Sequence, residues 1–259
     1  MTDITTLRTY LNRNRFMPQP PAELHYVGDG DYRAIGAEFL EHLIRRADLA
    51  SSDRVLDIGC GVGRLALPLT QFLDQGSYDG VDPVAAGIEW CTSSVTPIYP
   101  NFRFHHLDLS HPIYNPTGTV ATRSVRLPFA DGSFDLVCMI SVLTHLERDD
   151  ILQYASEISR LLAPGGRCFA TAFVMNPPAR VALTQGKGSI GFAGDGPGPI
   201  YYGVEGSPLA AVAFDEDVLL ELFFRHGLYR RNPAAYGFWS GRPGTSFQDI
   251  CVFDKAVSR

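Results

Sequence analysis

Three acidic residues stand at the ends of three apolar, strand-like runs in the first half of the chain. They are Asp57, Asp82 and Asp108. Because the carboxyl ends of parallel strands meet along one edge of a sheet, where α/β proteins bind their ligands, we expect the three carboxylates to surround one molecule. Ionised carboxylates accept hydrogen bonds from hydroxyl and amino groups. The pattern therefore predicts a nucleoside-binding site.

Three glycines at alternate positions follow the first acid and are expected to form a ligand-binding loop. They are Gly59, Gly61 and Gly63, and Arg64 comes directly after them. Glycine lets the backbone turn tightly and approach a ligand closely, and the free amides at the start of the next helix attract an anionic group. The main alternative is a dinucleotide site, whose fingerprint G-x-G-x-x-G needs a glycine where this chain has Arg64. The alternate spacing and the preceding acid favour S-adenosylmethionine instead.

Each acid has its own expected role toward this cofactor. Asp57 is expected to accept a hydrogen bond from the cationic amine. Asp82 is expected to accept from both ribose hydroxyls, because an acid about 20 residues after the glycine loop is the usual sign of ribose recognition. Asp108 is expected to face the adenine amino group. The other predicted cofactor contacts, besides the glycine loop and Arg64, are Cys60, Pro83, Leu109 and Ser141.

His145 is the candidate general base. A hydroxyl acceptor must lose its proton during methyl transfer, and histidine is the side chain that titrates near neutral pH. His145 follows the predicted strand Phe134–Ile140, whose carboxyl end faces the ligand in folds of this type. The alternative is a histidine that only packs at a loop or helix start. The carboxylates that could orient its imidazole are Glu147, Asp149, Asp195 and Asp217.

Aromatic residues in the second half of the chain are candidate acceptor contacts. Residues 176–214 are rich in glycine and proline and are expected to form a lid, because loops of this length in compact domains are usually functional or disordered. Aromatic faces suit hydroxylated rings. The alternative is that most of these residues belong to the core. The candidates are Tyr201, Tyr202 and Trp239, with Tyr236 and Phe238 close to them in sequence.

Two further groups of residues are expected to be structural. His105 and His106 are adjacent on a predicted strand and point to opposite faces, so they cannot share one metal ion. No metal site is therefore predicted there. Asn176-Pro177-Pro178 is expected to be a loop turn.

Strand-like and helix-like runs alternate along the chain, which predicts a doubly wound α/β domain. The predicted helices are Tyr32–Leu49, Arg64–Leu73, Val84–Cys91, Asp150–Leu162 and Asp215–His226. The predicted strands are Arg54–Ile58, Tyr78–Val81, Phe102–Leu107, Phe134–Ile140, Arg167–Val174, Leu228–Phe238 and Phe247–Phe253. The last two are expected to form a hairpin antiparallel to the rest.

The boundaries of the domain follow from composition. Residues 1–31 are polar and contain three closely spaced prolines, so they are expected to form an N-terminal arm or cap. Residues 32–259 are expected to form the main domain, with a turn-rich insertion at 110–125. Tyr26, Tyr32 and Arg33 could close over the cofactor.

Composition excludes several classes of protein. The 259 residues carry a net charge of −6, which disfavours a nucleic-acid partner because such proteins present a basic patch. No apolar run of about 18 residues predicts a membrane span, and the first residues lack the apolar core of a secretory signal. The five cysteines are scattered, so we expect reduced thiols in a cytoplasmic protein.

The chain resembles the class I S-adenosylmethionine-dependent methyltransferases. The resemblance is carried by Val55–Arg64, Tyr78–Pro83, Phe104–Leu109, Leu127–Val137 and Leu161–Phe169. It implies a Rossmann-like, seven-stranded, mostly parallel sheet whose last strand is antiparallel. It also implies that Asp57 and the glycine loop hold the methionine part of the cofactor, that Asp82 holds the ribose, and that Asp108 faces the adenine. The insertion at 110–125 departs from many relatives, in which the Leu-Pro-Phe segment follows the third acid almost at once.

These observations predict an O-methyltransferase that acts on a small hydroxylated acceptor, with His145 as base. A weaker resemblance to bacterial, including actinobacterial, saccharide O-methyltransferases makes a saccharide or glycosylated metabolite the first choice of acceptor. The alternatives are N- or C-methylation of a small metabolite, and a non-catalytic protein that binds S-adenosylmethionine. The sequence leaves the oligomeric state open, with a homodimer as one option.

Overall fold

A computed structural model describes residues 4–26, 28, 30–192 and 198–256. The helices are α1 (Ile4–Arg13), α2 (Tyr32–Arg46), α3 (Ala66–Leu69), α4 (Ala85–Ser94), α5 (Arg148–Leu161), α6 (Pro177–Thr184) and α7 (Glu216–Phe224). The strands are β1 (Arg54–Ile58), β2 (Ser77–Asp82), β3 (Phe102–His106), β4 (Leu109–Ser110), β5 (Val120–Ala121), β6 (Phe134–Met139), β7 (Leu162–Met175), β8 (Ile200–Tyr202), β9 (Val212–Asp215), β10 (Leu228–Arg230) and β11 (Asp249–Lys255).

The main sheet has the strand order β10-β11-β7-β6-β1-β2-β3. Neighbouring strands from β7 to β3 run parallel, whereas β11 runs antiparallel to both of its neighbours. The predicted fold, a mostly parallel seven-stranded sheet with an antiparallel last strand, is confirmed. Two additional strands extend it, because β9 pairs in parallel with the end of β7 and β8 pairs with β9.

The order of the sheet places three strand ends side by side. The chain runs from β1 outward to β2 and β3 on one side and then returns to β6 on the other side of β1. This reversal leaves a crevice at the carboxyl end of β1, which is where open α/β sheets bind ligands. The strands around it are buried on both faces, as their continuous apolar runs predict.

The first helix after the glycine loop is much shorter than predicted. The sequence predicts a helix over Arg64–Leu73, but the regular helix spans only Ala66–Leu69 and turns follow it. Pro68 accounts for the difference, because proline has no backbone N–H to donate to the carbonyl of Arg64. The chain enters and leaves this helix through buried turns rather than through a long amphipathic segment.

The predicted strand Leu228–Phe238 is also wrong over most of its length. Pairing with β11 ends at Arg230, and only an isolated bridge between Ala235 and Ile250 follows. Pro233 interrupts the run and cannot donate to a strand ladder. The second strand of this pair begins at Asp249 rather than at Phe247, so residues 236–248 form a loop that returns over the sheet edge. We call residues 236–248 the rim hairpin.

The predicted lid contains regular structure. Helix α6 begins after Asn176, whose side chain accepts from the amide of Ala179 as an N-cap. The segment ends in β8 and β9, so much of residues 176–214 belongs to the fold rather than to a loose loop. Asn176-Pro177-Pro178 is thus a helix start and not a simple turn, since proline fits the first helical turn. Asp195 lies outside the described residues.

The two other non-core segments also have defined contacts. In the N-terminal arm, α1 packs against α2 and Arg8 contacts Glu41 at 3.4 Å. In the insertion, β4 and β5 form a small parallel pair of their own. The division of the chain into arm, insertion and lid stays a prediction. The five cysteines are free and buried.

Candidate active site

A cavity of about 690 Å³ opens at the carboxyl edge of the sheet, beside the ends of β1, β2 and β6. Five of the predicted cofactor contacts line it on the glycine-loop side, namely Asp57, Gly59, Cys60, Arg64 and Asp82. Three more line it elsewhere, namely Pro83, Leu109 and Ser141. His145 lines it as well. A volume of this size suits a small-molecule site.

The glycine loop is held by its own hydrogen bonds rather than left free for an anion. The amides of Gly59 and Cys60 both donate to the carbonyl of Val81, at 2.8 and 3.1 Å. Gly59 has a φ of +78°, and a Cβ there would lie 2.4 Å from a methyl of Val142. The binding of a carboxylate at this helix N-terminus stays a prediction, and the helix itself is only four residues long.

Asp82 is the best-positioned carboxylate in the cavity. It is buried, and it accepts from the amide of Gly61 at 2.8 Å and from that of Val84 at 2.8 Å. The Tyr26 hydroxyl donates to Asp82 Oδ1 at 3.3 Å. Burial raises the pKa of this carboxyl, while the two amides and Tyr26 lower it. A carboxylate has about four lone-pair sites, so Asp82 keeps acceptor capacity for a ligand hydroxyl.

Opposite charges line the cavity on the side of β1 and the glycine loop. Asp57 is buried and accepts from the Tyr78 hydroxyl at 2.7 Å, and burial raises its pKa to about 7. The guanidinium of Arg64 lines the same cavity and makes no ion pair with any described carboxylate. Burial lowers the pKa of Arg64. A molecule that carries an amine and a carboxylate would neutralise both groups, so this side of the cavity suits an amino acid.

Asp108 does not line the cavity, and its contact with adenine stays a prediction. Its carboxylate accepts from the Thr119 hydroxyl at 2.5 Å, from the Thr119 amide at 3.2 Å and from the Asn115 side chain at 3.4 Å. These hydrogen bonds lower its pKa. The insertion, which the chain adds after β3, therefore turns this carboxylate away from the cavity. Its neighbours Leu107 and Leu109 line the cavity instead.

His145 is held in one orientation by a backbone carbonyl. Its Nδ1 lies 2.9 Å from the carbonyl oxygen of Leu209, which can only accept, so Nδ1 carries the proton and Nε2 the lone pair. Burial lowers the pKa of this imidazole below its ordinary value. None of the described carboxylates considered from sequence, Glu147, Asp149 and Asp217, orients it. A buried, neutral imidazole whose Nε2 carries a lone pair can act as a base.

Tyr114, from the insertion, was missed by sequence reasoning. Its hydroxyl lies 3.1 Å from Nε2 of His145, and its ring also lines the cavity. The neighbouring His111 bonds through Nε2 to the carbonyl of His145 at 2.9 Å. Nothing in the order of residues signals this contact, because it depends on the folding of the insertion over the end of β6.

Ser141 is held by residues from two other strands. It has a φ of +59°, which is strained for a residue with a side chain, and its amide donates to the Thr171 hydroxyl at 2.8 Å. Gln248, which the sequence did not suggest, accepts through Oε1 from Ser141 at 3.2 Å and from Thr171 at 2.5 Å. Gln248, Phe238 and Phe247 of the rim hairpin all line the cavity.

The predicted acceptor contacts Tyr201, Tyr202 and Trp239 do not line the cavity. Trp239 is fully buried and its indole N–H donates to Asp249 at 2.7 Å. Tyr201 is buried and donates to Asp215 at 3.1 Å. Tyr202 points outward from β8 and is half-exposed. The first two belong to the core between α6 and the sheet, so a contact between these three residues and the acceptor is a wrong prediction. Phe238 is the member of this aromatic group that does face the cavity.

No cluster of three or more potential metal-ligating side chains occurs in the described ranges. His105 and His106 have different partners, since His105 contacts Asp79 at 2.8 Å and His106 contacts the carbonyl of Pro83 at 3.1 Å.

Comparison with known proteins gives a family match over the core of the chain. Residues 55–166 match the model described as "Methyltransferase domain". Among curated proteins, methyltransferase GfsG of Streptomyces halstedii is 28% identical over 133 residues, which is 51% of this chain and 42% of that protein. A probable phthiotriol/phenolphthiotriol dimycocerosates methyltransferase of Mycobacterium ulcerans is 33% identical over 147 residues, which is 57% of this chain and 49% of that protein. The chain thus spans less than half the length of these relatives.

Solved structures share the fold. The 1,6-didemethyltoxoflavin-N1-methyltransferase of Burkholderia thailandensis, solved with S-adenosylhomocysteine, aligns with a TM-score of 0.54 at 17% identity, over 98% of this chain and 87% of that one. The magnesium protoporphyrin IX methyltransferase of Synechocystis aligns with a TM-score of 0.56 at 17% identity, over 98% of this chain and all of that one.

Proposed function

We propose that this chain, whose residues 55–166 match a methyltransferase-domain model, uses S-adenosylmethionine to methylate a hydroxyl group of a small acceptor. The observation that carries this proposal is the distribution of charge and hydrogen-bonding capacity in one cavity. Asp82 is oriented by two backbone amides, and Asp57 and Arg64 line the same cavity.

The cavity residues fit S-adenosylmethionine in one orientation. Asp82 would accept from the ribose hydroxyls. The carboxylate of the methionine part would pair with Arg64 and its amine with Asp57, because both protein groups lack a counter-charge in the described structure. The purine would lie on the far side of Asp82, against the apolar surface of Leu107 and Leu109. When bound, this cofactor supplies an electrophilic methyl group, so the protein has to align the acceptor and manage its proton.

His145 is proposed as the group that takes the acceptor proton. Its Nδ1–H is bonded to the Leu209 carbonyl, so the lone pair of Nε2 is on the side of Tyr114 and the cavity. Its lowered pKa keeps it unprotonated at neutral pH. A base of this kind is needed for transfer to oxygen and not for transfer to a neutral amine, which favours O-methylation over N-methylation.

The choice of a saccharide acceptor stays a prediction. It depended in part on an aromatic group of which only Phe238 reaches the cavity. The names of the relatives and of the solved structures refer to different acceptors. They therefore favour methyl transfer but do not indicate a particular substrate.

The proposal is tested with S-adenosylmethionine labelled in its methyl group and a panel of hydroxyl and amine compounds. We expect label in an ether product whose formation is lost in His145→Gln, while that variant still binds S-adenosylhomocysteine. Label recovered only in N-methyl products, at a rate that His145→Gln leaves unchanged, would favour the alternative of N-methylation. Binding without transfer to any compound would favour a non-catalytic binding protein.

A further inference from the structure

The rim hairpin forms a distinct part of the cavity wall, in which the side chain of Ser246 hydrogen-bonds the carboxyl of Glu38. Phe238 and Phe247 line the cavity there, although they are 46% and 38% exposed. Their rings contact each other, with centroids 5.5 Å apart, and Phe247 also contacts Phe173 at 5.9 Å. Two adjacent, partly exposed aromatic rings at a cavity mouth are unfavourable in water and favour an apolar occupant.

The hairpin is held rigidly, so these rings are positioned before any ligand binds. The buried carboxylate of Asp249 accepts from the amide of Gly237 at 2.7 Å and from the indole of Trp239 at 2.7 Å. The amide of Phe238 donates to the carbonyl oxygen of Ser246 at 3.0 Å. A Cβ at Gly237 would lie 2.3 Å from the carbonyl oxygen of Phe247, so the two sides of the hairpin pack at backbone contact.

Gln248 supplies an oriented polar group beside these two rings. Its Oε1 accepts from the hydroxyls of Ser141 and Thr171, at 3.2 and 2.5 Å. Its Nε2 has no hydrogen-bond partner within the described structure. Because the two hydroxyls hold Oε1, the N–H groups of Nε2 stay available as donors. They can donate to an oxygen of a ligand.

We propose that the acceptor is a mainly apolar, ring-bearing molecule whose ring packs against Phe238 and Phe247 and which carries a hydrogen-bond-accepting oxygen for Gln248. A compound with hydroxyls on every side, such as a simple sugar, would leave several of them without partners against these rings, at a cost in binding. Ser141 and His145 lie four residues apart after β6, so the acceptor held at Gln248 borders the segment that carries the proposed base. This inference rests on the proposed function and narrows its acceptor.

The test measures ligand binding by saturation-transfer NMR to protein loaded with S-adenosylhomocysteine. The apolar probes are methyl 4-hydroxybenzoate and 7-hydroxycoumarin, which have a carbonyl, and 2-naphthol, which does not. Methyl α-D-mannopyranoside is the saccharide. We expect saturation transfer to the apolar probes and none to the mannoside, and at least a fivefold weaker affinity for the apolar probes in Phe238→Ala. Phe224→Ala is the matched control, since Phe224 is exposed but lies outside the cavity lining.

Gln248→Glu separates the role of the amide from a structural one. Glutamate keeps an oxygen for Ser141 and Thr171 but has no N–H to donate. We expect Gln248→Glu to weaken the binding of methyl 4-hydroxybenzoate and 7-hydroxycoumarin and to leave the affinity for 2-naphthol unchanged. The inference is overturned if the mannoside binds and the apolar probes do not, if no probe binds to the loaded protein, or if Phe238→Ala and Phe224→Ala behave alike. Failure of S-adenosylhomocysteine itself to bind, measured in the same samples, would instead reject the proposed function.

Discussion

Asp82, Asp57 and Arg64 differ in the hydrogen bonds and ion pairs that they already make within the protein. This difference assigns their roles toward a ligand. Asp82 receives two backbone amides, which fix its position whether or not a ligand is present. Asp57 receives only the Tyr78 hydroxyl, and Arg64 is unpaired among the described residues. A preorganised acceptor suits neutral hydroxyls, whereas buried unpaired charges suit a ligand that brings the opposite charges. The amino-acid end and the ribose position of the proposed cofactor follow from that contrast.

Asp57 should release protons when the cofactor amine binds. Its pKa of about 7 leaves roughly half of the molecules protonated at pH 7, and a nearby cation favours the ionised form. We therefore expect release of about 0.5 proton per S-adenosylhomocysteine bound at pH 7. Calorimetric titrations in buffers of different ionisation enthalpy measure this number directly.

Asp57→Asn is the matched variant, because it keeps the shape of the side chain and cannot ionise. It should bind more weakly and with little dependence on the buffer. Equal proton release in wild type and variant would place the titrating group elsewhere.

Protonation of His145 should reduce the rate of methyl transfer at low pH, with no corresponding loss at high pH. Burial places its pKa below 6.5, so the base is unprotonated at pH 7 and the rate should be flat above that pH. Below pH 6.5 the rate should fall as the imidazole takes up a proton. Loss of a general base costs about 10²–10⁴-fold in rate, so His145→Gln should lose that much of kcat for a hydroxyl acceptor.

His226→Gln controls for replacement of a histidine away from the cavity lining. A His145→Gln enzyme that keeps the wild-type rate and pH profile would mean that this histidine only packs against Leu209 and Tyr114.

At the scale of elements, the insertion at 110–125 determines the positions of two side chains. It turns Asp108 away from the cavity through Thr119 and Asn115, and it places Tyr114 against His145. The purine side of the cavity is then built from apolar side chains of the β3–β4 segment rather than from an acid.

Asp108→Asn should therefore change cofactor affinity far less than a substitution at Asp82. An asparagine at 108 keeps an oxygen for Thr119, and the carboxylate does not reach the cavity. Titration of both variants with S-adenosylhomocysteine gives the comparison. A loss at Asp108 as large as that at Asp82 would restore the adenine contact expected from sequence.

The elements that sequence predicted well are those whose signals are local. The runs of β1, β2, β3 and β6 are bounded by turns, and the acids at the ends of β1 and β2 indicate the place of the site. Errors arose where one residue overrode the periodic pattern, as Pro68 did in the first helix and Pro233 in the last pair of strands. In the second half, the pairing of β9 with the end of β7 joins segments about 40 residues apart, and no local pattern encodes it.

The site residues that the sequence predicts also carry local signals, whereas those that it does not predict depend on long-range contacts. Asp57, Asp82 and the glycine loop share one short motif and its neighbouring strand ends. Gln248 and Tyr114 reach the cavity only because the rim hairpin and the insertion fold back over the sheet edge. Trp239 is a candidate from sequence because an indole beside a turn is often exposed. In the structure its N–H donates to Asp249 and the side chain lies in the core.

At the scale of the whole molecule, one cavity joins the cofactor end to the rim hairpin. The net charge of −6 is the reason for expecting a small-molecule acceptor rather than a nucleic acid. Within the described part of the chain, no helix is long and apolar enough to cross a membrane. The absence of nucleic-acid and membrane partners, the cytoplasmic location and the homodimer stay predictions.

The most direct test of the central claim is a calorimetric titration of the wild-type protein, Asp82→Asn and Asp74→Asn with S-adenosylhomocysteine. Asp74 is exposed and lies outside the cavity lining, so it controls for the loss of one acidic charge. Loss of a hydrogen bond to a charged group costs about 1.5–3 kcal/mol, so Asp82→Asn should weaken binding by about 10–150-fold. Asp74→Asn should bind like the wild type. Absence of binding in the wild type, or equal affinity in Asp82→Asn, would contradict the account of this cavity as a cofactor site centred on Asp82.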